Sequence, residues 1–263
     1  MICWLDGSLI DGAQKALALD DRGFLLGDGL YETIRIAQGR VQQAGRHLAR
    51  LAHGASVIGL PMPTADIAAA MAAVIAANAL QAGSLRLTLT RGSGPRGLLP
   101  PQAPSPTLLI AAFPAAPPAA PARVIMATRT RRNEHSPLAG IKSLNCLDGI
   151  IARLEARDLN ADDALLPNTA GRIAEATAAN VFALIGGEWL TPPVTEGALP
   201  GITRARILEA GGREAPLTLH DLMPADEIAL TSSLGIRPVR ELAGKNLPAP
   251  GPETAKLIAA LFA

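Results

Sequence analysis

The feature that most restricts the fold of this chain is residues 114–121, which consist only of proline and alanine. Proline has a fixed φ and no N–H group, so such a run favours an extended polyproline II conformation over a helix or a sheet interior. We therefore predict a linker at residues 114–122, between a smaller N-terminal α/β domain at residues 1–113 and a larger C-terminal domain at residues 123–263. A chain of 263 residues is long enough for two such domains.

One predicted strand before the linker carries an unusual polar face. Residues 30–36 alternate between two sets with period two. Tyr31, Thr33 and Arg35 lie on one face, and Glu32 lies on the other face among aliphatic residues. Such a polar face, taken alone, could also be the solvated outer surface of a sheet.

Helices and strands are mixed irregularly on both sides of the linker. Residues 43–58 and 144–156 predict helices, and Thr64 is placed to cap the alanine-rich helix that follows it. Residues 20–23 predict a loop. This order indicates an α/β mixed (α+β) fold class and argues against a doubly wound sheet, and no Gly-x-Gly-x-x-Gly turn leads from a strand into a helix.

The composition excludes several function classes. A formal net charge of +1 gives no electrostatic reason to expect binding to nucleic acid or to an anionic membrane, and 3% aromatic residues leave few surfaces for stacking on bases. Two cysteines are too few for a disulfide framework or a zinc site, so no metal is expected. Residues 1–6 show no signal peptide and residues 67–82 are too short to span a membrane. We therefore expect a cytoplasmic protein that acts on a small molecule.

Two charged residues stand in apolar or uncharged surroundings. Lys142 lies between apolar residues, where loss of hydration lowers the pKa of an amine and makes it a usable nucleophile and base. Glu175 lies among small residues before a predicted strand, and a carboxylate in a dry site needs a cationic partner. A Schiff-base amine and a carboxylate for a ring pyridinium are what pyridoxal phosphate chemistry requires. Taken separately, Lys142 could be a solvated surface lysine and Glu175 a helix cap.

The spacing of several motifs resembles a known enzyme family. The motifs are Lys142-Ser-Leu-Asn145, Glu175-Ala-Thr-Ala-Ala-Asn180-Val-Phe182, Leu190-Thr191 and Leu199-Pro-Gly201-Ile202-Thr203-Arg204. They are similar to those of class IV (fold-type IV) pyridoxal-phosphate enzymes, which include branched-chain aminotransferases, D-amino acid aminotransferases and 4-amino-4-deoxychorismate lyases. The resemblance extends from about Leu5 to about Val239. It implies a two-domain fold with the cofactor, pyridoxal 5′-phosphate, at the domain interface, and a homodimer whose sites take a loop from the neighbouring subunit.

The resemblance also implies which residues bind the cofactor. Lys142 would form the Schiff base, Glu175 would keep the pyridine nitrogen protonated, and Arg50 would pair with the phosphate. The cofactor-binding residues that it implies are Lys142, Glu175, Arg50, Asn180, Gly201, Ile202, Thr203 and Ser232. Without the resemblance, Arg50 would be read as a surface residue and residues 201–203 as an ordinary helix cap.

The residues implied for the substrate give a mixed indication of the reaction. Residues 31–35 resemble the aromatic-Glu-Thr-x-Arg/Lys pattern of the lyases, and residues 91–97 resemble their Arg-Gly-Ser-Gly-x-Arg-Gly loop. D-amino acid aminotransferases usually have a histidine where this chain has Leu98, whereas the lyases usually have a tyrosine there. Tyr31, in place of the phenylalanine frequent in lyases, favours the D-amino acid enzymes. The implied substrate-binding residues are Tyr31, Thr33, Arg35 and Arg96, and the implied catalytic residues are Lys142 and Thr33.

These observations predict a pyridoxal-phosphate-dependent lyase or aminotransferase. The first hypothesis is 4-amino-4-deoxychorismate lyase, which forms 4-aminobenzoate and pyruvate for folate biosynthesis, with Lys142 as Schiff-base lysine and proton shuttle. The second hypothesis is a D-amino acid or branched-chain amino acid transaminase that uses 2-oxoglutarate or pyruvate as amino acceptor. A third hypothesis, from another class, is a binding or scaffold protein that has kept the fold without the cofactor.

Overall fold

The computed structural model describes residues 1–13 and 17–262. The chain divides into two compact units. The first unit comprises Met1–Pro117 and Ile141–Asn145, and the second comprises Pro118–Gly140 and Cys146–Ala263. The three-part division predicted from the sequence stays a prediction, and the compact units differ from it in two respects. They divide the predicted linker between Pro117 and Pro118, and they place the lysine segment elsewhere. Lys142 was assigned to the C-terminal domain, but its segment belongs to the first unit.

Within its described residues, the first unit forms a six-stranded antiparallel sheet in the order β2-β1-β6-β5-β3-β4. Its elements are β1 (Ile2–Leu5), β2 (Ser8–Asp11), α1 (Arg22–Leu26), β3 (Gly29–Ala37), β4 (Arg40–Val41), α2 (Ala44–Val57), α3 (Ile67–Ala77), β5 (Gly83–Thr90) and β6 (Thr107–Pro114). The core joins aliphatic residues of β3 and β5 to Leu51 of α2 and to Met71 and Val74 of α3. The helices therefore cover one face of the sheet.

The predicted alternation of β3 is confirmed. Leu30, Glu32, Ile34 and Ile36 are buried, and the residues between them are partly exposed. The helix predicted at residues 43–58 is also confirmed, as α2. The period of the apolar residues was sufficient to predict both β3 and α2, because each element buries one face against the same core.

Three local predictions are wrong. Residues 20–23 are not a loop throughout, because α1 begins at Arg22, after Asp21 accepts hydrogen bonds from the N–H groups of Gly23 and Phe24. The cap of α3 is Asp66, which accepts from the N–H of Ala69, and not Thr64. Both errors came from overlooking an aspartate, whose short carboxylate caps a helix as well as a hydroxyl does.

The third error concerns the helix predicted at residues 144–156, since α4 begins only at Leu147. The N–H of Leu144 donates to the carbonyl of Gly29 at 3.0 Å, and the carbonyl of Lys142 accepts from the N–H of Tyr31 at 2.9 Å. These bonds hold residues 142–144 extended beside the start of β3, so the helix cannot start there.

Within residues 118–262, the second unit contains a nine-stranded sheet in which β12-β11-β10-β13-β14-β7-β8-β9 are neighbours and β15 pairs with β14. Its elements are β7 (Ala122–Met126), α4 (Leu147–Asp158), β8 (Asp163–Pro167), β9 (Ile173–Ala176), β10 (Asn180–Ile185), β11 (Glu188–Thr191), α5 (Ile202–Glu209), β12 (Arg213–Glu214), α6 (Leu219–Leu222), β13 (Glu227–Ser232), β14 (Gly235–Leu242), β15 (Lys245–Asn246) and α7 (Pro252–Phe262). Short 3-10 turns lie at Pro137–Gly140 and Val194–Glu196.

Parallel and antiparallel pairs occur together in this sheet. The pairs β7–β8, β14–β7 and β11–β12 are parallel, and the other neighbours are antiparallel. Mixed sheets with helices packed on them confirm the predicted α/β mixed (α+β) class. None of the helices in the described part of the chain is both long enough and apolar enough to span a membrane.

Candidate functional site

The residues singled out from the sequence fall on both units, and each group is described within its own unit. In the first unit, Lys142 is held by its backbone. The bridge between Leu30 and Ser143 and the two hydrogen bonds around it attach the lysine segment to β3. Ile141, just before the lysine, is only 4% exposed and belongs to the hydrophobic core. The position of Lys142 is therefore set by sheet bonding on one side and by a buried neighbour on the other.

The ring of Tyr31 contacts two cations. The Lys142 Nζ lies 4.3 Å from the ring centroid and the Arg86 Cζ lies 4.0 Å from it. A cation this close to the ring is attracted by its π electrons. The structure thus brings Tyr31, an implied substrate-binding residue, into contact with Lys142.

Arg86 was missed by the sequence analysis, although the sequence contained a signal for it. In the β3–β5 ladder, Thr33 lies opposite Arg86, and opposite residues of an antiparallel pair share a face. We define the polar strand face as the partly exposed residues Tyr31, Thr33 and Arg35 of β3 and Ser84, Arg86 and Thr88 of β5. Three of the predicted substrate residues are thus on one surface, with a further arginine among them.

Arg50 lies in a buried charged cluster on the other face of β3. Its Nε and Nη2 donate to the two carboxylate oxygens of Glu32 at 2.8 and 2.6 Å, and the His47 Nδ1 lies 2.7 Å from Glu32 Oε2. Burial alone would raise the pKa of Glu32, but hydrogen bonds and charge from Arg50 and His47 hold that pKa below its usual value. The role of Arg50 in binding phosphate stays a prediction; the contact with Glu32 fixes the direction of its guanidinium.

Arg96 lies in an exposed loop that a second charged cluster secures. Arg22 donates from Nη1 and Nη2 to the carbonyls of Gly97 and Leu98, each at 2.8 Å, and from Nε to Asp28. Arg91 donates from Nε to the same Asp28 oxygen, also at 2.8 Å. Burial would raise the pKa of Asp28, but the hydrogen bonds from Arg91 and Arg22 keep it below its usual value. The loop residues that follow Arg96 are therefore tied to the body of the unit.

Glu175, on β9 of the second unit, has a cationic partner in its own unit, whereas its predicted partner was the pyridinium of the cofactor. The Arg132 Nε lies 3.3 Å from Glu175 Oε1. The other oxygen accepts from the N–H of Leu199 at 3.0 Å and from the side-chain amide of Asn180 at 3.5 Å. Arg132 was not foreseen, because nothing in the local sequence distinguishes it from the arginines around it.

The turn before α5 lies against the same asparagine. A Cβ built on Gly201 would lie 1.9 Å from Asn180 Oδ1, so only glycine fits there. The Asn180 amide also donates to the carbonyl of Leu199 at 2.9 Å, and the Thr203 hydroxyl donates to the carbonyl of Ser232 at 2.7 Å. The structure thus brings Glu175, Asn180, Gly201, Thr203 and Ser232 into one region of the second unit.

A further hydroxyl in this region has no partner in the described part of the chain. Thr231 lies opposite Asn180 in the β10–β13 ladder, is 1% exposed, and its Oγ1 makes no hydrogen bond to the described residues. Gly201 also contributes no side chain to cap the first N–H groups of α5. Helix N-termini of this kind bind anions through peptide N–H groups. This set of donors fits the phosphate of pyridoxal 5′-phosphate.

Comparison with known proteins identifies the family. The sequence profile described as "Amino-transferase class IV" matches residues 29–242. The chain belongs to the class IV aminotransferase family. Enzymes of this family depend on pyridoxal 5′-phosphate, so the chain is a pyridoxal-phosphate-dependent enzyme, as the resemblance implied.

Three similar proteins have three different activities. A D-alanine aminotransferase of Bacillus licheniformis is 31% identical over an alignment of 267 positions, which covers 97% of this chain and 94% of that protein. The structure of the branched-chain amino acid aminotransferase of Escherichia coli has a TM-score of 0.92 and 26% identity, covering 99% of this chain and 93% of that one. The structure of 4-amino-4-deoxychorismate lyase from Pseudomonas aeruginosa has a TM-score of 0.85 and 33% identity, and the match covers 98% of this chain and 97% of that one. The fold-type IV architecture is therefore shown, and these comparisons do not select one reaction.

Proposed function

We propose that this enzyme is a 4-amino-4-deoxychorismate lyase, which forms 4-aminobenzoate and pyruvate in folate biosynthesis. The observation that carries the proposal is the polar strand face, where Thr33 lies opposite Arg86 and between Tyr31 and Arg35 along β3. A substrate with two carboxylates and one amine needs such cations and a proton-relaying hydroxyl. The loop at residues 91–97 and the similarity to a lyase structure support the same reaction.

The residues proposed to hold the cofactor keep the roles that the resemblance implies. When bound, pyridoxal phosphate supplies an aldehyde that condenses with amines and a pyridinium ring that accepts an electron pair. Lys142 would hold the cofactor through its amine, and Glu175 would keep the ring nitrogen protonated. Arg50 would pair with the phosphate, and further donors would bind it. These donors are Gly201, Ile202, Thr203 and Ser232, with Asn180 shaping the turn around them.

In the lyase reaction, the chain's own residues move two protons. Lys142 removes the proton from the amine-bearing ring carbon of the substrate, and Thr33 delivers a proton towards the departing enolpyruvyl group. The ether C–O bond breaks, the three-carbon unit leaves as pyruvate, and the ring that remains becomes aromatic. Arg35 and Arg96 orient the substrate carboxylates through charge-assisted hydrogen bonds. No oxidant or reductant is needed.

The second candidate is a D-amino acid or branched-chain transaminase that uses 2-oxoglutarate or pyruvate. Tyr31 on the polar strand face favours it, as does the similarity to a D-alanine aminotransferase, whereas Leu98 matches neither enzyme type. In this reaction Lys142 would carry a proton from the substrate Cα to the C4′ carbon of the cofactor. Every cofactor contact would be the same.

We also propose that the enzyme is a cytoplasmic homodimer. The loop at residues 91–99 would lie near the neighbouring subunit, which agrees with the 83% and 85% exposure of Leu98 and Leu99. Large apolar side chains so exposed are typical of surfaces that a partner covers.

The proposal is tested with purified protein and 4-amino-4-deoxychorismate. We expect 4-aminobenzoate and pyruvate in equal amounts, and a loss of lyase turnover of about 10²-fold or more in Thr33→Val that Thr33→Ser largely restores. Transfer of the amino group from D-alanine or L-leucine to 2-oxoglutarate, without formation of 4-aminobenzoate, would show that the enzyme is a transaminase instead.

The Schiff-base role of Lys142 has its own test. Lys142→Ala is expected to abolish the visible absorption band of the bound cofactor, because no amine remains to condense with the aldehyde. Lys256→Ala, at an exposed lysine of α7 that pairs with Glu253, is the matched control and keeps the band. An unchanged band in Lys142→Ala would exclude this lysine as the attachment point.

A further inference from the structure

Arg132 of the second unit connects three separate segments. Its Nη2 donates to the carbonyl of Ala139 at 3.1 Å, and its Nε donates to the carbonyl of Gly197 at 3.2 Å. The same Nε lies 3.3 Å from Glu175 Oε1. The side chain is only 19% exposed. One guanidinium group therefore contacts a carboxylate and two backbone carbonyls that are far apart in the sequence.

Each of these segments leads to a residue assigned to the cofactor. Ala139 lies in the 3-10 turn just before Ile141 and Lys142. Gly197 ends the next 3-10 turn, shortly before Leu199, whose N–H binds Glu175, and Gly201, which precedes α5. The third segment is β9, with Glu175 itself. Arg132 is therefore the common neighbour of the carboxylate and of the turns that lead to the lysine and to the phosphate-binding helix.

The backbone of Arg132 is itself fixed. Its N–H donates to the carbonyl of Pro167 at 2.8 Å, and it forms a bridge with Asn168 at the end of β8. The Asn168 side chain in turn donates to Glu196 Oε2 at 2.5 Å, next to Gly197. Arg132 is thus hydrogen-bonded through both its backbone and its guanidinium group, which restricts the positions that the guanidinium can take.

The contact between Arg132 and Glu175 has two consequences. A cation 3.3 Å from a partly buried carboxylate stabilises the ionised form, which is the form that pairs with a pyridinium. The same cation offsets part of the negative charge that Glu175 presents to the ring. Arg132 therefore affects both the position of the Glu175 carboxylate and the strength with which that carboxylate keeps the cofactor protonated.

We propose that Arg132 is a positioning residue of the active site, which orients Glu175 towards the pyridine nitrogen and sets the proton affinity of the bound cofactor. The inference rests on the proposed role of Glu175 and is independent of whether the enzyme is a lyase or a transaminase. Arg132 itself touches neither substrate nor reacting atoms in this assignment.

The test compares Arg132→Met, which removes the charge, with Arg132→Lys, which keeps the charge but loses the planar fork. Arg131→Met, at the exposed neighbouring arginine, is the matched control. For each holoenzyme, the pH midpoint of the visible cofactor band and the Kd for pyridoxal phosphate are measured, together with the melting temperature. Neither of the first two quantities requires turnover.

In Arg132→Met we expect the midpoint to move up by about one pH unit, because a cation near the ring is lost. We expect the Kd to rise about tenfold, because Glu175 and the two turns lose a shared partner. Arg132→Lys should keep the midpoint of the wild type and bind the cofactor more weakly. Arg131→Met should match the wild type in both quantities.

The inference is overturned if Arg132→Met has the midpoint and the Kd of the Arg131→Met control. If Arg132→Met does not fold, Arg132→Lys decides, and a Kd equal to that of the wild type would overturn the inference. A wild-type protein without any visible band would instead contradict the cofactor assignments. A normal band without lyase turnover would contradict only the proposed reaction.

Discussion

Glu32 in the first unit and Glu175 in the second are both strand carboxylates that face an arginine, but their surroundings differ. Glu32 is fully buried, and both of its oxygens bind residues of one helix, α2. Glu175 is partly exposed and binds one arginine side chain, one peptide N–H and one amide from different segments. The first carboxylate is part of the packing between a strand and a helix. The second depends on how several turns come together.

This difference separates stability from function. Removing a fully buried carboxylate leaves its cations unpaired in a place that water cannot reach, which costs much free energy. Removing a carboxylate at a partly exposed position leaves groups that water can hydrate. We therefore expect the first unit to lose stability and the second to lose cofactor binding when the respective glutamate is replaced.

The largest expected effect is that of Glu32→Ala. It should lower the free energy of unfolding of the first unit by about 3–5 kcal/mol, because Arg50 and His47 lose their common partner. Glu175→Ala in the cofactor-free protein should cost the second unit about 1 kcal/mol. Urea unfolding measures both, since Trp4 reports on the first unit and Trp189 on the second.

Single-tryptophan variants, Trp189→Phe and Trp4→Phe, separate the two signals. Equal losses of unfolding free energy in the two glutamate variants would show that the difference in burial between Glu32 and Glu175 does not affect stability.

A smaller effect is expected from Gly201→Ala in the second unit. The new Cβ would lie 1.9 Å from Asn180 Oδ1, so the asparagine must move away from Leu199 and Glu175. We expect a loss of about 1–3 kcal/mol by Trp189 fluorescence in urea, with weaker cofactor binding. The control is Gly235→Ala, where a Cβ meets open space. A similar loss in both variants would argue against the close approach at Gly201.

The smallest expected effect is the contribution of Glu32 to the pH dependence of stability. Its pKa in the folded state lies below the value of 4.5 for a free glutamate. Its contribution is therefore complete above pH 4.5 and is lost as the pH falls through the folded pKa. The difference amounts to at most about 1.4 kcal/mol per pH unit for one proton.

Glu32→Gln cannot take up this proton, so its free energy of unfolding should fall less steeply than that of the wild type between pH 5 and pH 3. The difference in slope should correspond to at most about one proton taken up on unfolding. Urea titrations followed by Trp4 measure the two slopes. Identical slopes would mean that Arg50 and His47 do not lower the pKa of Glu32 in the folded state.

Much of the first unit could be predicted from the sequence, because its contacts are local or periodic. The alternation of β3 gave the faces of Tyr31 and Glu32, and the same rule applied to β5 would have found Arg86. His47 and Arg50, three residues apart on α2, share a face for the same kind of reason. The motif spacing led to the correct family and cofactor.

The surroundings of Glu175 could not be predicted in this way. Arg132 reaches Gly197, which is 65 residues away, and no period relates the two. Residues 142–144 were predicted to approach a helix, but their backbone is bonded to β3, a partner more than a hundred residues earlier. Such contacts are selected by the tertiary fold, and the roles assigned to the cofactor-binding, substrate-binding and catalytic residues remain predictions.

The bonding of residues 142–144 to Gly29 and Tyr31 has a practical consequence for dividing the protein. A fragment that stops at Pro117 would lack Ile141–Asn145 and would expose an unsatisfied strand edge at the start of β3. Such an edge recruits other chains and promotes aggregation. A synthetic peptide with the sequence of residues 141–145 could fill the gap by strand addition, which would make the lysine proposed as catalytic a component supplied in trans.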